Sequence, residues 1–384
     1  MDLRYSAEEE RLKRDVRKFA EEKLRPIAAE VDSSNETSLE VVNLLASHGL
    51  FRYLVPREYG GVGIKPLYMC IIREELARVC VQASDTFIMS ALGGYPIVRF
   101  GNEEQKKKYL PLLATGEKIG SYALTEPGAG SDVANIETTA TFKDGFYVLN
   151  GKKYWATNAG AAEVCIAYAK TDPTKGSRGI SAFIIDTKNK QHGLICRPME
   201  WMGPGCEYEI IFENYRVPKE NLLGEEGKGM RIALTALDLC RTTVGAHAVG
   251  LAQAAYEEAL KYAQIRKAFG QPLIEFQATQ FKLADMVTNI QAARLLVYHA
   301  ALMTELGEED KIIGRASMAK LFATEAAQRV VDEALQIHGA AGVMKGSRTE
   351  LLYRAVRSPR IYEGTSEIQR ITIARAIRQG IIGE

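Results

Sequence analysis

No C-x-x-C pair occurs among the six cysteines (Cys70, Cys80, Cys165, Cys196, Cys206 and Cys240), and the five histidines form no ligand-like cluster with them. No metal site is expected from that spacing, and a disulfide framework is not expected in a chain of 384 residues. Buried thiols in a reducing compartment are the better reading. No run of 18 apolar residues exists, so no membrane span is expected. The opening Met-Asp-Leu-Arg-Tyr-Ser-Ala-Glu-Glu-Glu is too acidic and polar for a signal or transit peptide, which makes the cytoplasm the expected location. Net charge is nearly absent, with 49 basic residues against 48 acidic ones. A balanced surface argues against nucleic acid or an anionic membrane as partner. A phosphate-bearing ligand would need a local basic patch. Internal repeats and low-complexity segments are also missing. What is present is ordinary globular composition, 46% hydrophobic and 25% charged, with enough length for a large core and two or three domains.

Apolar periodicity divides the chain in three. Residues 1–119 read as a helical domain. Ser6 to Glu9 fits a capping box opening a helix to about Ala29, with Pro26 bending its end. Helices follow over Leu39–His48, Pro66–Val79, Asp85–Phe100 and Glu103–Leu113, the third of these kinked or restarted at Gly93-Gly94-Tyr95-Pro96. Residues 120–226 read as an antiparallel β domain, with a hairpin over 142–151 and strands near 163–169, 180–186 and 208–218. Residues 227–384 return to long helices: Met230–Phe269, Pro272–Glu305, Asp310–Ile337 and Ser366–Ile382. Their lengths suit an up-and-down four-helix bundle. The fold class is therefore α+β and mostly α.

Two segments carry chemistry. Near the end stands Arg360-Ile-Tyr362-Glu363-Gly364-Thr365-Ser-Glu367, a lone carboxylate in the turn before the last helix. Acidic residues suit a helix start in any case. The second segment is Tyr122-Ala-Leu124-Thr125-Glu-Pro-Gly-Ala-Gly-Ser131-Asp132, which by itself reads as a β-domain turn. Together, in order and with family-like spacing over nearly the whole chain, they resemble the acyl-CoA dehydrogenase family of the short- and medium-chain type.

That resemblance implies FAD-dependent α,β-dehydrogenation of an acyl-CoA thioester to the 2-enoyl-CoA. The α proton goes to a buried base and the β hydride to flavin N5. Glu363 matches the catalytic carboxylate, whose burial would strengthen it as a base. Tyr362 and Gly364 flank the substrate, and the backbone N–H of Glu363 would hold the thioester carbonyl. Tyr122, Leu124 and Thr125 match flavin contacts, and Ser131 a contact to the pantetheine arm. Lys153-Tyr-Trp155-Ala-Thr157-Asn158 resembles the strand along the flavin, with Thr157 near N5. Arg266, Phe269 and Gln277, with Gln336 and Gly339, match contacts to the FAD of a neighbouring subunit, while Thr365 and Glu367 match contacts within one subunit. A shared site implies a homo-oligomer, in the family usually a tetramer. Asp238 and Arg241, one helical turn apart, match residues of the CoA channel, although an intrahelical ion pair is the plainer reading. An electron-transfer flavoprotein is the expected electron acceptor.

Several positions depart from the family pattern. The loop Gly203–Glu209 is about two residues short. Ala340 stands where the family prefers Gly, and Ala355 where Asp is common. Ser84 occupies the place of the arginine that glutaryl-CoA enzymes use for a distal carboxylate. Asp85 beside it either lines the acyl pocket or caps the helix. Bulky Ile88, Met89, Leu92 and Tyr95 suit a short, branched or cyclic acyl group. The alternatives are a family member of altered outcome, such as an oxidase or a decarboxylating or desulfinating enzyme, a flavin-binding nucleic-acid-associated relative, and a non-enzymatic helical scaffold. The nucleic-acid-associated relative carries a basic C-terminal domain, and a sequence with this neutral balance is not expected to be one.

Overall fold

The computed structural model describes residues 5–188, 193–305 and 309–382. Five helices open the chain: α1 (Ala7–Phe19), α2 (Leu39–Ser47), α3 (Pro66–Ala77), α4 (Val81–Phe100) and α5 (Glu103–Thr115). Helix α1 starts in the expected capping box, with Ser6 and Glu9 exchanging side-chain-to-backbone hydrogen bonds. It does not run unbroken to Ala29. The chain widens into a π-turn over Ala20–Leu24 and re-forms one turn at Ala28–Val31. Pro26 has no N–H to continue the ladder.

Helix α4 differs from expectation in two ways. It passes through Gly93-Gly94-Tyr95-Pro96 without a break. The glycine serves packing: a Cβ on Gly93 would lie 2.7 Å from the Gly120 Cα and 2.8 Å from the Val164 carbonyl oxygen, so the helix lies directly on the sheet. The helix also begins at Val81, four residues before Asp85. Its first N–H groups are capped by the buried Asp32, whose carboxylate accepts from Val81 N at 3.1 Å and Gln82 N at 3.0 Å. Asp85 is therefore not the cap.

The middle of the chain forms one eight-stranded sheet: β1 (Gly120–Ala123), β2 (Thr139–Lys143), β3 (Phe146–Lys153), β4 (Val164–Lys170), β5 (Ile180–Ile185), β6 (Leu194–Pro198), β7 (Tyr208–Pro218) and β8 (Leu222–Leu223). The order is β6-β7-β3-β2-β4-β5-β8, with β1 also on β4. The expected hairpin is β2–β3, turning at Asp144-Gly145, both with positive φ. Pairing is antiparallel except where β1 and Thr139 at the start of β2 run parallel to β4. Strands β4 and β5 are buried along almost their whole length. Ile166, Ile180 and Ile184 face the helical core, and Cys165, Ala167 and Phe183 face a second core inside the β domain. Burial on both faces is why their sequence is continuously apolar rather than alternating.

The last third contains α6 (Gly229–Ile265), α7 (Gln277–Glu305), α8 (Glu309–His338), α9 (Arg348–Ala355) and α10 (Ser366–Arg378). Helices α6, α7 and α8 pack side by side, and α3 joins them through α6, so the first and last thirds share one apolar core. The short α9 was not expected. All six cysteines are free thiols. Among the described residues no helix is long and apolar enough to cross a membrane.

Candidate active site

Helices α6, α8 and α10 send side chains onto the turn between α9 and α10. Glu363 sits there with φ +53° and Gly364 with φ +92°. A left-handed conformation is costly for glutamate and marks a backbone held by its surroundings. Three side chains hold it. Lys320 of α8 donates to the Tyr362 carbonyl at 2.9 Å and to the Gly364 carbonyl at 2.5 Å. Gln369 of α10 donates to the carbonyls of Glu363 at 3.2 Å and Gly364 at 2.9 Å. Arg241 of α6 donates to the Glu363 carbonyl at 3.4 Å. With the carbonyls taken, the Glu363 N–H has no acceptor among the described residues.

Both carboxylate oxygens of Glu363 are sealed from solvent and have no hydrogen-bond partner. Burial pushes its pKa up, opposed by the positive charges of Arg73, Lys320 and Arg241. The neighbouring Tyr362 hydroxyl is likewise buried without a partner. Lys320 is fully buried, and desolvation brings its pKa down to about 8.

A second polar group lies on the α3–α4 side. Arg73, buried in α3, donates to Thr243 Oγ1 at 2.9 Å and to Asp85 Oδ1 at 3.3 Å. Asp85 keeps 15% side-chain exposure, and burial pushes its pKa up to about 6 against the pull of Arg73. Its other oxygen looks toward Gly205 of the shortened loop. His247 bonds Ser84 Oγ at 2.8 Å, and burial holds its pKa well below the usual value, so it stays neutral. On the same loop Glu207 takes the Thr157 hydroxyl on both carboxylate oxygens at 2.9 Å. Burial pushes the Glu207 pKa up to about 8.

The Tyr122–Asp132 segment leaves β1 as a loop. Glu126 is buried there, pairing with Lys153 Nζ at 2.7 Å and accepting from Thr138 N at 3.0 Å. This internal ion pair fixes the loop, while Thr125 is half-buried and Ser131 exposed. Lys153 also donates to the buried Leu124 carbonyl at 3.1 Å, and Tyr122 Oη donates to the Ala233 carbonyl at 3.3 Å. The strand ends at Lys153, so Trp155 and Thr157 lie on a turn beyond it rather than in a strand. Trp155 has φ +55° and an indole side chain 48% exposed. Thr365 caps α10 by accepting from Ile368 N at 3.3 Å, and Glu367 is exposed in its first turn.

Asp238 and Arg241 do form the intrahelical ion pair, at 2.6 Å, and Arg241 uses its other edge on Glu363. Asp238 also borders an open cleft of about 530 Å³ flanked by Arg178, Lys228 and Arg231. Arg266 and His338 line a different cleft, at the ends of α6 and α8. Beyond Arg266 a short hairpin carries Phe269 at its tip, 98% exposed. Gln277, Gln336 and Gly339 are exposed too. That cleft shares no lining residue with the Glu363 cluster.

Arg73, Glu207, Lys320 and Gln369 are the site residues the sequence did not single out. The one available signal was a charged residue inside an apolar helical run, as in Cys70-Ile71-Ile72-Arg73 and Met318-Ala319-Lys320-Leu321.

The turn thus joins a buried, unengaged carboxylate to an unengaged N–H, a pairing that can take a proton and hold a developing oxyanion. The described domains of the acyl-CoA dehydrogenase family match in order: the N-terminal domain over residues 6–117, the middle domain over 121–214 and the C-terminal domain over 227–378. The chain belongs to the acyl-CoA dehydrogenase family. It is 45% identical over 376 residues to a 3-(aryl)acrylate reductase of Clostridium sporogenes, covering 96% of this chain and 98% of that one. It is 41% identical over 374 residues, 96% and 98% of the two chains, to the CarC subunit of the caffeyl-CoA reductase–Etf complex of Acetobacterium woodii. A solved acyl-CoA dehydrogenase of Bacillus anthracis complexed with FAD superposes with a TM-score of 0.89 at 38% identity, over 98% of this chain and 68% of that one. This is an acyl-CoA oxidoreductase, and its cofactor is FAD.

Proposed function

We propose that the chain converts an acyl-CoA thioester to its 2-enoyl-CoA, with Glu363 taking the α proton. The observation that carries this is the Glu363 carboxylate itself, buried with neither oxygen engaged. An orphaned buried carboxylate is costly unless a ligand completes it. Desolvation raises its basicity, which is what removal of a weakly acidic α proton requires.

The unengaged Glu363 N–H lies on the same turn and accounts for the second need, a donor to the thioester oxygen as negative charge develops there. Gly364 leaves that approach open. Bound FAD supplies the hydride acceptor. The residues that would hold it are Leu124 and Thr125 with Trp155, Thr157, Thr365 and Glu367, and the half-exposed Trp155 indole is surface that a flavin would cover. Tyr122 supports that loop through α6 rather than by a free hydroxyl. Tyr362 and Asp85 border the acyl side. Ser131, Asp238 and Arg241 lie along the CoA path, and Arg178, Lys228 and Arg231 offer the local basic patch that its phosphates need.

The separate Arg266 cleft and the exposed Phe269, Gln277, Gln336 and Gly339 fit a surface that closes on a neighbouring copy's FAD, making the enzyme an obligate homo-oligomer, by family analogy a tetramer. An electron-transfer flavoprotein is the acceptor we propose, since one relative is named as part of an Etf complex. The acyl group we favour is short, branched or cyclic. A second reading has one observation in its favour: Asp85 is another carboxylate of raised pKa in the same pocket. It would be the base if the outcome departs from ordinary α,β-dehydrogenation.

The decisive experiment is to purify the yellow protein and bleach its flavin anaerobically with a panel of acyl-CoAs. Bleaching by one class of short or ring acyl-CoA supports the proposal. Absence of bleaching by every member, with FAD bound, overturns it. Oxygen consumption without an acceptor protein would mark an oxidase instead.

A further inference from the structure

We infer that Lys320 is a positioning residue for catalysis, one that aims the Glu363 backbone N–H and carboxylate at the substrate by gripping the carbonyls on either side of Glu363. This rests on the reading of Glu363 as the base. The Tyr362 carbonyl and the Glu363 N–H belong to one planar trans peptide and point in opposite directions. Whatever fixes the carbonyl therefore fixes the donor. Lys320 is the only donor to the Tyr362 carbonyl among the described residues, at 2.9 Å. The Gly364 carbonyl, by contrast, has both Lys320 and Gln369. Loss of Lys320 thus frees the peptide that carries the oxyanion donor while the far end of the turn stays tied.

The turn needs such a grip, because Glu363 is held at φ +53°. A residue of that kind relaxes toward the right-handed or extended regions when nothing opposes it. Lys320 can act as a rigid post. Its ammonium is fully buried on α8, a helix of 30 residues packed against α6, α7 and α10. The charged groups facing it are Glu363, Arg241 of α6, Glu325 on its own helix and Glu367 of α10. Burial brings its pKa down to about 8. Above that pH the two hydrogen bonds lose their charge assistance, and the turn loosens.

The test uses FAD-loaded Lys320→Met and Lys320→Arg beside the wild type. Three quantities are read: the anaerobic flavin-bleaching rate, the change in the flavin spectrum when a thioester binds, and the pH profile of bleaching. In Lys320→Met, bleaching should fall at least about tenfold, because displacing a reacting group by ~1 Å costs about 100-fold. The spectral response to thioester should shrink as well, with FAD still bound. Lys320→Arg keeps a cation that does not titrate, so the alkaline limb of the profile near pH 8 should disappear or move up. Wild-type bleaching and spectral response in Lys320→Met would overturn the inference. So would an unmoved alkaline limb in Lys320→Arg, which decides alone if the Met variant does not fold. Glu363→Gln separates the two claims: bleaching at the wild-type rate there sinks the base assignment, whereas the thioester spectral response judges Lys320 without any proton transfer.

Discussion

Replacing Glu363 by glutamine isolates the base from everything else the turn does. The substitution keeps the shape of the side chain and leaves the N–H, the carbonyl clamp and the cofactor contacts in place. No hydrogen bond to the carboxylate is lost, because neither oxygen has one. FAD and acyl-CoA should still bind. Bleaching by the best acyl-CoA should fall at least about 100-fold, the low end for losing a general base, or about 2.7 kcal/mol of barrier. Glu363→Asp should retain part of the rate, limited by a carboxylate set back by one methylene. Stability should move the other way. A carboxyl group with a raised folded pKa favours folding below the ordinary carboxylate range and loses that contribution as pH rises through the raised value. Near neutral pH the Gln variant should therefore melt higher than wild type, an exchange of stability for function at the site. The assays are anaerobic stopped-flow bleaching and thermal melts of the FAD-bound proteins. Near wild-type bleaching would refute the assignment and turn attention to Asp85. A lower melting temperature would refute the account of Glu363 as a strained, desolvated charge.

Asp85→Ala should shift the acyl-CoA preference toward bulkier groups and cost about 3 kcal/mol, the low end for leaving a buried cation, here Arg73, without its partner. An unchanged panel profile would remove Asp85 from the pocket. Glu207, held up to about 8, stays protonated in the fold over pH values where the unfolded chain releases its proton, so stability falls as pH rises through that window. Glu207→Gln should flatten the fall in melting temperature between about pH 5 and pH 8, and parallel curves for the two proteins would contradict the burial argument. Arg266→Ala should lower FAD retention and loosen the oligomer together, as read by absorbance and light scattering. If neither changes, the shared-site proposal is wrong.

The three-part order of helices, strands and helices was legible in the sequence because apolar spacing alternates between periods near four and two. Turn chemistry was legible as well: the Ser6 capping box and the hairpin turn at Asp144-Gly145 form as their residue types demand. Glu363 stood out only when its segment was read together with Tyr122–Asp132 as a family resemblance. What failed were inferences from one residue to its own segment. Pro96 does not stop α4, since the helix is clamped along its length on the sheet at Gly93 and Gly120. Asp85 does not cap α4, since Asp32, about fifty residues earlier, reaches its N-terminus.

The sequence by itself determined the kinds of element and their order, because those follow from local periodicity and local turn chemistry, and it pointed to the Glu363 carboxylate only through the family resemblance of its segment. Only the tertiary structure decided what surrounds that carboxylate. Arg73, Arg241, Lys320 and Gln369 come from four helices far apart in the chain, and beyond the apolar run around Arg73 and Lys320 nothing local distinguishes such residues from solvated polar groups on a helix face. Their meaning depends on burial, which folding creates: once water is excluded, each must find a partner, and Arg241, Lys320 and Gln369 find the carbonyls of one left-handed turn while Arg73 finds Asp85 and Thr243.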